Sequence, residues 1–345
     1  MPENPLANDL NHILDHTRDL WDELRGERIF ITGGTGFFGC WLLESFLWAN
    51  QKLDLGAHAV ILTRRPASVK RSLPHLMLDP SISLHEGDMR SFEFPGGEFS
   101  HIIHAATETN PQSEVIDPLD KFTANIEGTR RVLDFALASG TKKFLFTSSG
   151  AVYGKQPSNL THIPEDYPGA PETNDVTTAY GQSKRISEFL CTAYAEKYGF
   201  QAITARCFAF VGPRLPLDAN YAIGNFIRDA IKGKSIQING DGTPYRSYLY
   251  AADLAIWLWT ILFKGQSTYP YNVGSETDLT IGQLAFTVVN ELSPTATVQV
   301  AKQPVFQQPA SRYVPSTQRA RQGLSLEAWI PLNEAIRRTA NYYKS

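Results

Sequence analysis

Apolar positions repeat in two different rhythms along the chain. Between residues 8 and 25, Leu10, Ile13, Leu14, Leu20, Trp21 and Leu24 fall at helical spacing, which predicts one helix with one apolar stripe, docked on the domain or on a partner subunit. From Arg28 the rhythm changes. Ile29-Phe30-Ile31-Thr32 has the length of a buried strand, Gly33 to Gly39 is a turn, and Trp41 to Trp48 is helical. Further strands are predicted at 58–63, 81–85, 101–104, 143–147 and 202–207. Helices are predicted at 120–139, burying Phe122, Ile126, Leu133 and Leu137, and at 178–198. Strands alternating with helices predict a parallel sheet covered on both faces, and right-handed crossovers make it doubly wound. After residue 208 the alternation breaks. Pro213, Pro216, Gly233, Gly240, Gly242 and Pro244 punctuate shorter elements, with helices near 222–232, 252–264, 280–292 and 331–343. The reading is a helical extension at 1–26, a doubly wound α/β domain at 27–207, and a smaller mixed α/β substrate lobe at 208–345.

Composition narrows the classes. A chain of 345 residues makes one large domain or two, and 42% hydrophobic with 19% charged residues is globular. Lys and Arg number 32 against 35 Asp and Glu, a net charge of −3, so no electrostatic footprint for nucleic acid is present. Cys40, Cys191 and Cys207 stand too far apart for a disulfide framework or a zinc pattern and are expected in the core. Residues 1 to 28 are polar and acidic, unlike a secretory signal, and the longest apolar run, Leu254 to Phe263, is too short for a bilayer. The expectation is a cytoplasmic protein with neither membrane nor nucleic-acid partner.

Gly33, Gly36 and Gly39 lie between a predicted strand and a predicted helix. That context turns a weak motif into a dinucleotide fingerprint: a tight turn, a backbone that a pyrophosphate can approach, and close packing of the helix, whose N-terminus favours anions. Thr35, Phe37 and Phe38 share this turn. The fold is therefore read as a Rossmann-type doubly wound parallel sheet. Where an acidic residue would hold the ribose of NAD, the second strand ends in Thr63, Arg64 and Arg65. Arginine suits a 2′-phosphate, so NADP(H) is favoured and NAD(H) remains possible. Asp88, with Met89 beside it, follows the third strand and is placed at the adenine edge.

Tyr180 and Lys184 are four apart on a predicted helix and project from one face. A phenol of pKa about 10 is a poor acid–base group until a nearby ammonium stabilises its phenolate. With one it suits proton exchange with a hydroxyl or carbonyl. Ser148 and Ser149 follow the fifth strand, at the edge where open α/β sheets place their sites. Ser149 is the candidate donor to the reacting oxygen, with Thr147 beside it.

Together these residues resemble the extended short-chain dehydrogenase/reductase superfamily and, within it, the NAD-dependent epimerase/dehydratase family of nucleotide-sugar enzymes. The resemblance rests on Thr32 to Gly39, His104-Ala105-Ala106, Asn125 with Gly128-Thr129, Ser148 to Gly154, Tyr180 with Lys184, Arg206 to Pro213, Gly240-Asp241-Gly242 with Arg246, and Tyr271 to Gly274. It implies that Tyr180 is the acid–base residue, that Lys184 binds the nicotinamide ribose, and that Ser149 assists. It implies that Ala105, Ala106, Thr107, Asn125 and Thr147 line the cofactor cleft. Asn225, Arg246 and Arg312 are implied to reach the diphosphate of a nucleotide-diphosphate sugar, with Ser148 and Ser149 also on the substrate. A homodimer through the helices near 120–139 and 179–198 is implied as well.

Departures from the family narrow the reaction. Hexose 4,6-dehydratases carry an acidic pair after the catalytic hydroxyl, where this chain has Gly150 and Ala151. Glucuronate decarboxylases have Glu where Ala151 stands. The 3,5-epimerase/reductase that makes GDP-fucose has Cys there, and His where Arg214 aligns. The Asn usual after Arg-x-Phe is Ala209. The leading expectation is thus an NADP-dependent reductase of a 4-keto nucleotide sugar. The alternatives are a 4-epimerase with tightly held cofactor, a dehydratase or decarboxylase, a reductase of another small carbonyl compound, and an NAD(P)-sensing regulator without catalysis.

Overall fold

The computed structural model describes residues 4–107, 117–305, 307 and 309–344. The first strands are β1 (Arg28–Thr32), β2 (His58–Thr63), β3 (Ile82–Glu86), β4 (His101–His104), β5 (Lys143–Ser149) and β6 (Gln201–Cys207). The helices among them are α1 (Ala7–Thr17), α2 (Phe37–Leu53), α3 (Pro66–Ser72), α4 (Pro74–Met77), α5 (Pro118–Ala138) and α6 (Ala179–Tyr198). Beyond Cys207 come short strands: β7 (Phe210–Val211), β8 (Ile236–Ile238), β9 (Tyr245–Ser247), β10 (Leu249–Tyr250), β11 (Pro270–Val273), β12 (Asp278–Thr280), β13 (Val298–Val300) and β14 (Arg312–Tyr313). Helices α7 (Ala222–Ile231), α8 (Ala251–Lys264), α9 (Ile281–Leu292), α10 (Gln318–Leu324) and α11 (Leu332–Lys344) lie between and after them.

The central sheet has seven strands in the order β11-β6-β5-β4-β1-β2-β3, and every pairing in it is parallel. The order reverses between β1 and β4, which opens a crevice at their carboxyl ends. Alternation sorts the strand residues. Ile29, Ile31, Ile61, Ile103, Leu145 and Ile203 face the core shared with α1, α2 and α8. Phe30, Val60, Ile102, Phe144 and Phe146 face the core under α5 and α6. Such two-sided burial explains why the strands read as continuous apolar runs.

The structure corrects three details. The leading helix ends at Thr17 and continues as a 3₁₀ stretch, Arg18–Leu24; Thr17 leaves helical geometry at φ −126°, and its hydroxyl accepts from Trp21 Nε1 at 2.9 Å. Its stripe packs on α2 and α8 of the same chain. On α5 the buried side is Asn125, Gly128, Thr129, Val132 and Leu133, while Leu137 is exposed and Phe122 and Ile126 are half-buried. Small residues let the helix approach: a Cβ on Gly128 would lie 2.7 Å from Met89 Cγ. Finally, the seventh strand comes from the segment read as the second lobe, with α8 buried against the same sheet, so the sheet does not stop at residue 207. Cys40, Cys191 and Cys207 are buried free thiols. Among the described residues no helix is long and apolar enough to cross a membrane.

Candidate active site

The glycine turn sits at the mouth of the crevice. Gly33 has φ +72°, and a Cβ on it would lie 2.5 Å from the Ala105 backbone at the end of β4. A Cβ on Gly39 would lie 2.2 Å from Gly33 O, so this glycine packs helix against turn rather than helix against sheet. Around Gly36 the nearest atom to a Cβ is Gly33 O at 3.4 Å, which leaves the backbone open to an approaching group. Gly36 also begins α2 without any side-chain cap, so the first-turn N–H groups stay available to an anion. A dinucleotide pyrophosphate fits this cradle. The rest of the turn is held hydrophobically, with the Phe38 ring 5.0 Å from Phe210 and Phe37 half-buried on the core. Thr35 accepts the Cys40 thiol through its carbonyl at 3.7 Å.

Beside the turn, Ala105, Ala106 and Thr107 continue from β4. The Ala106 N–H donates to Thr32 Oγ1, which is also 2.7 Å from His104 Nδ1. Full burial pushes His104 down to about 3, so the ring is neutral and structural. Thr107 Oγ1 donates to Asn125 Oδ1, and Asn125 Nδ2 donates to Ser183 Oγ, which ties the cleft lining to α6 one turn from Tyr180. At the far end, Thr63 is buried at the tip of β2 and accepts from the Arg65 N–H. Arg64 is exposed, 3.9 Å from Asp88. Asp88 accepts from the side chain and N–H of Arg90, and these bonds and charges hold its carboxyl below the usual range. Met89 is buried with its side chain against Gly128.

Tyr180 and Lys184 lie on one face of α6 as the spacing requires. Lys184 is buried, donates from Nζ to Thr147 O at 2.9 Å and lies 4.7 Å over the Phe146 ring; burial pushes it down to about 8. Its Nζ is 5.9 Å from the Tyr180 ring centroid, and its one hydrogen bond goes to the Thr147 carbonyl. Burial and then Tyr313 raise the Tyr180 phenol above its usual value, and a hydrogen bond with Ser149 opposes them. Ser149 Oγ also accepts from the Ala151 N–H, which fixes the hydroxyl at the end of β5.

Ser148 is not brought to this group. Its hydroxyl donates to Glu188 Oε1 at 2.5 Å, one helical turn beyond Lys184 on α6. Glu188 is paired through both oxygens with Arg206, whose Nη1 donates to Tyr153 Oη at 2.9 Å. Tyr153 in turn donates to Asn272 Oδ1, and the Asn272 N–H donates to Glu165 Oε1. The two carboxylates below the site are thus consumed structurally. Glu188 follows Lys184 by one more helical step, a spacing that could have revealed it in the sequence.

In the lobe, Arg246 on β9 makes no ion pair among the described residues; its Nη1 donates to the Tyr245 carbonyl. Arg312 is not free: it pairs with Asp278 Oδ2 at 2.6 Å and stacks 3.8 Å over Tyr245. Asn225 Oδ1 accepts from Arg228 Nη1, leaving its amide nitrogen for a ligand. The residue that the sequence reading missed is Tyr313. Its ring lies 4.7 Å from Phe208 and its Oη 3.4 Å from Ser149 Oγ.

Comparison with known proteins gives the family and the fold. The model of the NAD dependent epimerase/dehydratase family matches residues 29–274. UDP-glucuronic acid decarboxylase 6 of Arabidopsis thaliana is 28% identical over 310 residues, covering 90% of this chain and 86% of that protein. UDP-glucuronic acid decarboxylase 1 of Danio rerio is 27% identical over 321 residues, covering 92% and 72%. Among solved structures, UDP-glucose 4-epimerase from Thermotoga maritima with UDP-glucose superposes with a TM-score of 0.74 at 20% identity, over 92% of this chain and 98% of that one. The dTDP-glucose 4,6-dehydratase of Streptomyces venezuelae with NAD gives 0.76 at 23% identity, over 92% and 97%.

Proposed function

Because the chain belongs to the NAD-dependent epimerase/dehydratase family, we propose that it is a nucleotide-sugar 4-epimerase acting on a nucleotide-diphosphate hexose. The relatives and neighbours named above are decarboxylases, dehydratases and epimerases. Of these reactions the first two are associated with acids at the positions of Gly150 and Ala151, and the nearby carboxylates Glu165 and Glu188 are already bonded. An epimerase needs only Ser149, Tyr180 and Lys184, and that is the observation that carries the reading. When bound, NAD(P) supplies a two-electron acceptor and donor for the sugar carbon. Tyr180 Oη takes the proton of the sugar hydroxyl and returns it, Ser149 Oγ holds the reacting oxygen, and Arg246 and Asn225 hold the diphosphate.

A second reading, reduction of a 4-keto nucleotide sugar by NADPH, which the sequence favours, rests on Arg64 and Arg65. Incubating the protein with UDP-, dTDP-, CDP- and GDP-hexoses separates the two. A new epimer without added cofactor supports the epimerase; steady NADPH loss with 4-keto-6-deoxy sugar nucleotides supports the reductase. The same pair governs the cofactor. Arg64→Ala/Arg65→Ala is expected to weaken NADP⁺ binding ~10- to 100-fold and to spare NAD⁺, as charge-assisted bonds to a 2′-phosphate require. Equal loss for both cofactors in titration calorimetry would refute a phosphate role.

A homodimer belongs to this reading too. Ile186 and Phe189 of α6 and Leu137 of α5 are exposed on adjacent helices, with Phe189 68% accessible. Phe189→Asp is expected to convert a dimer to a monomer in light scattering, and an unchanged mass would place the interface elsewhere.

A further inference from the structure

Tyr313 belongs to no motif, yet its phenol stands inside the catalytic group. β14 is two residues long, and its parallel register with β9 sets Tyr313 opposite Arg246. The Arg246 guanidinium is 5.9 Å from the Tyr313 ring centroid. The phenol therefore adjoins both the reacting end of the site, at Ser149, and the arginine proposed for the diphosphate.

Its hydroxyl is poorly satisfied where it stands. Oη is 3.4 Å from Ser149 Oγ and 3.5 Å from the Cys207 carbonyl oxygen, both long for hydroxyl hydrogen bonds. The Gly150 N–H beside it can only donate to the phenol oxygen, so, with the Cys207 carbonyl at 3.5 Å, the Tyr313 donor has no short acceptor among the described residues and is open to a ligand. The neighbouring glycine explains how the ring fits. A Cβ on Gly150 would lie 2.8 Å from Tyr313 Oη and 2.7 Å from the Phe208 ring. Gly150 is not among the positive-φ residues, so space rather than backbone freedom is what glycine provides there. The position where related enzymes carry an acid is thus cleared for a phenol brought from the other lobe.

We propose that Tyr313 is a substrate-contacting residue, donating a hydrogen bond to the sugar beside Ser149 and Tyr180, and that Gly150 is glycine to admit it. This rests on the nucleotide-sugar reading. Burial pushes the Tyr313 phenol up to about 12, so it keeps its proton throughout the working range and acts as donor rather than base. Its ligand is a polyhydroxylated sugar ring, whose oxygens accept from it.

Two variants test this in the cofactor-loaded protein. Tyr313→Phe keeps the ring on Phe208 and removes only the hydroxyl; Gly150→Ala keeps the hydroxyl and displaces it. Calorimetry with UDP, dTDP, UDP-glucose and dTDP-glucose reads diphosphate and sugar affinity separately, and turnover is followed with whichever sugar nucleotide reacts. Both variants are expected to hold diphosphate affinity and lose ~10-fold or more in kcat/KM, with weaker sugar-nucleotide binding. Unchanged sugar affinity and turnover in Tyr313→Phe would overturn the proposal. So would parallel loss of diphosphate and sugar-nucleotide affinity, which marks a role in lobe shape. If the unaltered protein binds neither these four probes nor CDP, GDP and their hexoses, the nucleotide-sugar reading itself fails.

Discussion

Tyr180→Phe is expected to reduce turnover ~10²- to 10⁴-fold while cofactor and nucleotide-diphosphate affinities stay nearly constant, since general acid–base catalysis contributes on that scale. The change removes one oxygen from a half-buried ring whose Cβ and packing are untouched. The pH profile adds a sharper expectation. Burial, then Tyr313, hold the phenol above its usual value, so at neutral pH it carries its proton. A reductase uses that proton, and its rate falls as pH rises through the phenol's pKa. An epimerase must first accept a proton, and its rate climbs toward the same pKa. The slope of kcat between neutral and alkaline pH therefore reports which direction Tyr180 works in. A slope that survives in Tyr180→Phe would assign the titration to another group.

Local signals in the sequence carried most of the fold. Strand-and-helix alternation from Arg28 to Cys207 depends on periodicity within each element, and the sheet follows it closely. The glycine turn and the Tyr180–Lys184 spacing are local in the same sense. What was not legible depends on pairing over long separations. β11 joins β6 only after the chain has left the sheet and crossed back by α8. Tyr313 reaches Ser149 because a two-residue strand is held by β9, and no periodicity marks two residues. Arg312 looked like a phosphate ligand, but the order β12-β9-β14 brings Asp278 to it. On α5, Asn125, Gly128 and Thr129 share the buried side with Val132, Leu133 and Phe135, because a glycine there makes room for the Met89 side chain.

Lys184→Met is expected to abolish turnover and, unusually for a buried site, to stabilise the apoprotein at neutral pH. The ammonium sits on the Phe146 face with one bond, to the Thr147 carbonyl. Burial depresses it to about 8, against about 10.4 for the unfolded chain. For a base so depressed, the folded state disfavours the proton. Below the folded pKa both states are charged and the full penalty applies, up to about 3 kcal/mol. Between pH 8 and the unfolded value the folded lysine loses its proton first, and the penalty fades. Methionine has similar length without the charge, so its advantage in urea unfolding should reach ~1–3 kcal/mol at pH 7 and vanish or reverse near pH 10, where the lost Thr147 bond is all that remains. A variant destabilised equally at both pH values would mean that the ammonium is a structural asset. Gain of stability with loss of turnover is the opposite signature: a charge held in the core against its own solvation, as the role proposed for it toward a bound ribose requires.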